Sequence, residues 1–191
     1  MNDKACALIA LGANLPLGTS SPQRTIAAAL EKLDATAVEV KSQSRLFKTP
    51  SFPKGSGPDY VNAAAVLEVP PGMSAEVLLQ HLHRIEARFG RSRDMRWGAR
   101  TLDIDLLAFG DQIMPDAATQ TAWRDLPLPD QARLTPPELI LPHPRIQDRA
   151  FVLVPLADVA ADWMHPILRV NVLQMLESLS PQDREAVQVI A

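Results

Sequence analysis

Apolar and polar positions along the chain divide it into alternating strand and helix signals. Residues 5 to 11, ACALIAL, are an apolar run closed by Gly12 and predict a buried strand. In SSPQRTIAAALEKLD, Ser21 is a helix cap and Pro22 a first-turn residue, with Ile26, Ala29, Leu30 and Leu33 at helical spacing. Residues 38–47, VEVKSQSRLF, alternate Val38, Val40, Ser42, Ser44 and Leu46 against polar neighbours and predict one strand; YVNAAAVLEV, 60–69, predicts a more buried one. The proline- and glycine-rich KTPSFPKGSGPD between them predicts a loop. Residues 74–90 predict a second helix, capped by Ser74, ended by Gly90, and carrying Leu78, Leu82, Ile85 and Phe89 on one face. TLDIDLLAF then supplies a fourth strand.

The resulting order, βαββαβ, suits an α+β fold: a ferredoxin-like sandwich with a largely antiparallel sheet, helices packed on it and C-terminal additions. Residues 111–137 are rich in proline and polar residues and read as a surface excursion, either a flap or an ornament. The tail AFVLVPLADVAADW reads as strand and then helix, and SPQDREAVQVIA as a closing short helix or strand.

A length of 191 residues with 47% apolar content suits one domain, 1–191, carrying that excursion. The net charge of −3 argues against the broad basic field of a nucleic-acid binder, so neither nucleic acid nor a membrane is expected as a partner. The single cysteine, Cys6, lies in the first apolar run and reads as a buried, inert thiol. With no apolar stretch near the ~20 residues of a membrane span and no secretory signal pattern at the start, the expectation is a soluble, cytoplasmic monomer.

Within the fourth strand, Asp103 and Asp105 share a face, because side chains alternate along a strand. Their Cα atoms would lie ~6.5–7 Å apart. Paired carboxylates in a strand repel one another unless something offsets the charge. Oxygen donors of this kind select Mg²⁺ or Mn²⁺ over Zn²⁺, and Mg²⁺ takes one or two carboxylates and completes its shell with water and phosphate oxygens. A solvent-facing strand edge is the alternative. Arg88, Arg91, Arg93, Arg96 and Arg100 concentrate positive charge just before the pair, as a polyphosphate site would, or as solvated partners for Glu86 and Asp94. Trp97 offers a stacking face or a packing anchor. His143, between two prolines, sits in extended backbone as a possible phosphate donor or a buried hydrogen-bonding group. No Walker-type phosphate loop and no nucleophile elbow occur.

The stretch RWGARTLDIDLL resembles the signature of the 6-hydroxymethyl-7,8-dihydropterin pyrophosphokinases of folate biosynthesis. Five further stretches, LIALGANL, LFKTPSF, PDYVNAAAVLE, HRIEARFGRSR and LPHPRIQDRAFVLVPL, recur in the family's order, so the resemblance runs from about residue 5 to 165. It implies a ferredoxin-like core, ATP and 6-hydroxymethyl-7,8-dihydropterin as the bound partners, and transfer of pyrophosphate from ATP to the pterin with release of AMP.

Position by position, the resemblance implies that Asp103 and Asp105 hold two Mg²⁺ ions and that Arg91 and Arg100 stabilise the transferring group. The ATP-binding set is His83, Glu86, Arg93, Arg96, Trp97, Ile104, Leu106, His143 and Arg149. The pterin set is Thr49, Pro50, Phe52 and Asn62, with Tyr60, the one tyrosine of the chain, and Phe151 as a sandwiching pair. The chain departs from the family pattern at Pro144, Glu138 and Ile140, and in the length of 111–137. Two rival readings are a metal-dependent nucleotidyltransferase, which would release pyrophosphate, and a nucleic-acid-binding module with Arg88 to Arg100 as its stripe, which would bind with steep salt dependence.

Overall fold

The computed structural model describes residues 5–51, 55, 57–90 and 100–190. Its elements are β1 (Ala5–Ala13), α1 (Pro22–Asp34), β2 (Glu39–Gln43), β3 (Phe47–Thr49), β4 (Tyr60–Val69), α2 (Ala75–Arg88), β5 (Asp103–Phe109), α3 (Ala117–Arg124), α4 (Leu128–Arg133), α5 (Ala150–Ala160), α6 (Val172–Ser178), α7 (Pro181–Glu185) and β6 (Gln188–Val189). A 3₁₀ turn, Ile146–Asp148, precedes α5.

The strands form one antiparallel sheet in the order β5-β1-β4-β3-β6, with β2 also paired to β4. Central in the first three strands, β1 pairs with β4 from Ala5↔Val69 to Ala13↔Val61 and with β5 from Ala7↔Phe109 to Gly12↔Asp103. Alternation gives each strand two faces. Ile9, Leu11, Ala63, Ala65, Ile104 and Leu106 face α1 and α2, where they join Ile26, Leu33, Leu78 and Leu82 in the larger core. Leu8, Ala64, Leu107 and Ala108 face the other way and meet Val152, Leu153 and Leu156 of α5 and Met175 of α6.

Both main helices start as their sequences predict. The hydroxyl of Ser21 accepts from the Arg24 N–H and that of Ser74 from the Val77 N–H, each at 3.4 Å, satisfying donors that no earlier turn can reach. Gly90, at φ 77°, ends the second helical segment in the left-handed region that glycine adopts without cost. The antiparallel α+β architecture expected from the element order is therefore present.

Three readings change. The single strand expected over 38–47 is two, β2 and β3, with a register shift between Val40 and Ser42. Ser44 is the cause: its N–H donates to the Ala64 carbonyl at 2.8 Å, and its hydroxyl accepts from the Ala64 N–H at 2.9 Å. A side chain thus replaces a backbone acceptor, and the chain turns before Phe47. The run AFVLVPLADVA is helix from its first residue, not strand; it buries apolar side chains between the sheet and α6, a setting where periodicity does not separate the two.

The excursion at 111–137 has regular structure of its own. It contains α3 and α4, its base is closed by paired backbone bonds between Met114 and Leu141, and the Gln120 side-chain amide, fully buried, donates to the Pro142 carbonyl at 3.1 Å. Finally, Cys6 is exposed, not buried: it shares the Leu8 face of β1, where the α5–α6 layer leaves it open. The closing segment holds both a helix, α7, and a strand, β6, which pairs with β3 through Phe47↔Val189. Among the described residues no helix is long and apolar enough to cross a membrane.

His165 staples the chain between α5 and α6. It is fully buried, and its Nδ1 accepts from the N–H groups of Ile167 and Leu168 at 3.2 Å each. Burial, followed by the charge of Arg124, pushes its pKa down to about 4. The unfolded chain therefore takes up a proton near pH 6.5 that the folded chain refuses until about pH 4, and stability is lost as pH falls through that window. From pH 7 to pH 5 this one group removes about 2 kcal/mol. Urea unfolding of His165→Asn should show a correspondingly smaller loss over the same interval.

Candidate active site

The residues that alternate away from α1 and α2 at the Gly12 end of β1 are polar: Asn62 on β4, and Asp103 and Asp105 on β5. Gly12 stands opposite both Asn62 and Asp103 in the register. A Cβ at Gly12 would lie 3.3 Å from Asn62 Oδ1, so any larger residue there would press on that amide. The helices of the α5 layer cover the Leu8 end of this face, and the Gly12 end stays accessible, with Asp103 and Asp105 partly exposed.

Guanidinium groups meet both carboxylates. Arg100 forms a salt bridge with Asp103, and Arg149 Nη1 lies 3.7 Å from Asp105 Oδ2. The same Arg149 guanidinium stacks over the Phe151 ring, 5.7 Å from its centroid. Phe151, in the first turn of α5, is 41% exposed, so an aromatic face is open beside the acid pair. His143 completes this group. Its backbone N–H donates to the Leu107 carbonyl at 2.8 Å, and its Nδ1 accepts from the Arg145 N–H at 3.0 Å. Burial, then the charges of Arg149 and Arg145, pushes its pKa down to about 3 despite the opposing pull of Asp103. The ring is neutral at pH 7, and with Nδ1 accepting, Nε2 carries the proton.

The second half of the site lies across β1. Thr49 and Asn62 are both buried, and the Asn62 amide donates to Thr49 Oγ1 at 2.7 Å, which fixes the amide's orientation. Tyr60 begins β4 opposite Thr49, partly exposed, and Pro50 follows β3 at the surface.

Beneath the carboxylates, Glu86 of α2 is 1% exposed, and its Oε1 accepts from the Ile104 N–H at 2.7 Å. Ile104 is the residue between the two aspartates, so this charge-assisted bond fixes the strand that presents them. His83 sits one turn earlier on α2, partly buried. Of the two contacts open to Ile104 and Leu106 in the ATP-binding set, backbone or side chain, only the backbone faces this way: their side chains are 2% and 3% exposed within the α1–α2 core, because alternation sends them the opposite way from the aspartates. Phe52, Arg91, Arg93, Arg96 and Trp97 lie outside the described residues.

One polar residue was passed over in the sequence. Asn14 is 4% exposed and bonded to chain on either side of β1. Its signal was present: an amide directly after a strand that ends in small residues.

The family model for 7,8-dihydro-6-hydroxymethylpterin-pyrophosphokinase (HPPK) matches residues 8–161. The chain belongs to the HPPK family. Pyrophosphokinase activity in folate biosynthesis is the activity of that family. The chain is 36% identical over 173 residues to a 2-amino-4-hydroxy-6-hydroxymethyldihydropteridine pyrophosphokinase of Synechocystis, covering 91% of this chain and 75% of the relative. It is 37% identical over 166 residues to the Haemophilus influenzae protein of the same name, covering 84% of each. Its fold is similar to that of HPPK-DHPS of Plasmodium falciparum, crystallised with pterin and p-hydroxybenzoate: the TM-score is 0.62 at 13% identity, over 97% of this chain and 45% of the other. The chain spans less than half the length of that structure, and at such identity the likeness concerns the fold alone.

If the Glu86 bond supports β5 as its geometry implies, Glu86→Ala leaves the Ile104 N–H without its buried carboxylate. The expected cost is about 2–3 kcal/mol in urea unfolding, with a smaller loss for Glu86→Gln, whose amide oxygen keeps the acceptor.

Proposed function

We propose that this HPPK-family chain transfers the β- and γ-phosphoryl groups of ATP, as one unit, to the hydroxymethyl oxygen of 6-hydroxymethyl-7,8-dihydropterin. The new bond is from that oxygen to the β-phosphorus; the bond broken is from the β-phosphorus to the bridging oxygen, which leaves on AMP. The observation that carries the reading is the pairing of two halves across β1: an acid pair with its guanidinium partners on β5, and the Asn62–Thr49 pair with Tyr60 on β4.

The acid pair suits Mg²⁺ by its chemistry. It offers hard oxygen donors only, and among the described residues no group of three or more His, Cys, Asp or Glu forms a closed metal cage. An open, two-carboxylate site leaves coordination positions for phosphate oxygens, and Asp103 and Asp105 would hold the two ions of this reading. When bound, Mg²⁺ neutralises phosphate charge and polarises the phosphorus toward attack.

The protein's own groups supply alignment and charge. Arg100 and Arg149, with Arg91 on sequence grounds, present guanidinium forks to phosphate oxygens as charge shifts toward the leaving AMP. Neutral His143 offers its Nε2–H as a further donor, a role that its lowered pKa keeps constant across physiological pH. For the pterin, Tyr60 and Phe151 provide aromatic faces, and the Asn62 amide, oriented by Thr49, reads the polar edge of the heterocycle. Bringing both substrates onto one sheet face converts a bimolecular transfer into a local one, which together with charge stabilisation is what a reaction of this type requires.

The reading also takes the chain as one domain. In its support, β6 returns to the sheet and the Ile190 N–H donates to the Leu46 carbonyl at 2.8 Å, so the C-terminal segment packs with the strands that carry Thr49.

Incubation with ATP, Mg²⁺ and 6-hydroxymethyl-7,8-dihydropterin should release AMP in step with pterin diphosphate. ADP or free pyrophosphate as the product would reject the reading. Asp103→Ala and Asp105→Ala should each lower turnover by roughly a thousandfold while far-UV circular dichroism stays unchanged. Full activity in either variant would remove the carboxylates from the mechanism.

A further inference from the structure

Asn14 bonds through its side chain to chain on both sides of the site. It follows β1 immediately, so it sits between the start of β4 and the start of β5. Its backbone N–H donates to the Arg100 carbonyl at 3.0 Å, as does that of Leu15 at 3.1 Å. The Asn14 side-chain oxygen accepts from the Arg100 N–H at 2.8 Å, and its side-chain nitrogen donates to the Pro58 carbonyl at 3.2 Å. The two ends of the amide are assigned unambiguously, because a backbone N–H only donates and a carbonyl only accepts.

Each arm ends next to a residue already implicated. Arg100 pairs with Asp103, three residues on. Pro58 precedes Tyr60 by two residues, at the entry to the strand that carries Asn62. A buried amide with both ends engaged holds its partners in one geometry, since displacing either leaves a polar group unsatisfied.

We infer that Asn14 is a positioning residue that locks the nucleotide half of the site to the pterin half, so that occupation of one half favours binding in the other. The inference rests on the pyrophosphokinase reading for the identity of the two ligands. The physical content is a coupling free energy carried by a shared two-armed contact: ordering the Arg100 backbone around ATP orders the Pro58–Tyr60 segment through the same side chain.

Asn14→Asp tests this with minimal change of shape. The acid keeps an acceptor for the Arg100 N–H and loses the donor to Pro58, setting an oxygen against a carbonyl instead. The probes are 6-hydroxymethylpterin and the Mg²⁺ complex of α,β-methylene-ATP, in which the scissile bridge is carbon and transfer cannot occur. Pterin affinity is measured by titration calorimetry with and without the analogue, and the ratio is the coupling. In the unaltered chain the analogue should tighten pterin binding at least fivefold. In Asn14→Asp the ratio should fall to near unity, with pterin affinity in the absence of nucleotide changed less than twofold. Should Asn14→Asp fail to fold, Asn14→Ser, which is too short to span both arms, takes its place.

A ratio of unity in the unaltered chain, or a folded variant whose ratio lies within twofold of that of the unaltered chain, overturns the inference. A lowered melting temperature with an unaltered ratio would make Asn14 structural only. Failure of the function itself is distinguishable: a chain that releases no AMP from ATP and 6-hydroxymethyl-7,8-dihydropterin rejects the reaction, whereas normal AMP release with unaltered coupling in the variant rejects only the role of Asn14.

Discussion

The antiparallel pairing of β1 with both β4 and β5 is the constraint on which the site depends. Register makes Gly12 the common neighbour of Asn62 and Asp103, and alternation then decides everything around it. Odd-numbered residues of β1 fill the core against α1 and α2; even-numbered ones share a face with the polar residues of the flanking strands. A slip of one residue in the β1–β5 pairing would turn Asp103 and Asp105 into that core and bring Ile104 and Leu106 out of it. Burial of two adjacent carboxylates is prohibitively unfavourable, so the same charge that serves the site also fixes the register that builds it.

Electrostatics at the site are balanced but loosely held. Arg100 and Arg149 offset Asp103 and Asp105, yet all four groups are partly exposed, and an exposed ion pair contributes only about 0–1 kcal/mol. Such pairs exchange readily for better partners, carboxylate to divalent cation and guanidinium to phosphate. Glu86 is different in kind. It is buried, and its carboxylate meets a backbone N–H that no rearrangement of the surface would release. The site therefore combines exchangeable ion pairs above the sheet with a fixed hydrogen-bond acceptor below it.

The strongest sequence signals were those with a local cause. Capped helices with an apolar stripe, at Ser21 and Ser74, and the alternation that sets Asp103 and Asp105 apart from Ile104, read directly into structure. Misreadings arose where a distant residue intervened. Ser44 breaks a strand by bonding to Ala64 twenty positions away, and the α5 run is helical because a sheet and a second helix enclose it. Cys6 is exposed because of what α5 does not cover. Within the site, the acids lie beside Arg149 and Phe151, and alternation leaves only the backbone of Ile104 and Leu106 on the side of the aspartates. Asn14 escaped notice because its meaning lies in two hydrogen bonds across 44 and 86 residues of chain.

The excursion at 111–137 gains significance from where it packs. Gln120 of α3 donates to the Pro142 carbonyl, and the Arg145 guanidinium reaches the carbonyls of Arg124 and Trp123 at 3.4 and 3.5 Å. These contacts bracket His143 on both sides, while the Arg145 N–H holds its Nδ1. A histidine between two prolines has few local hydrogen bonds with which to fix its ring, since proline lacks an N–H. Here the missing support comes from α3, which grips Pro142 and Arg145. The added length thus packs against the segment on both sides of His143 and fixes the backbone that carries the ring.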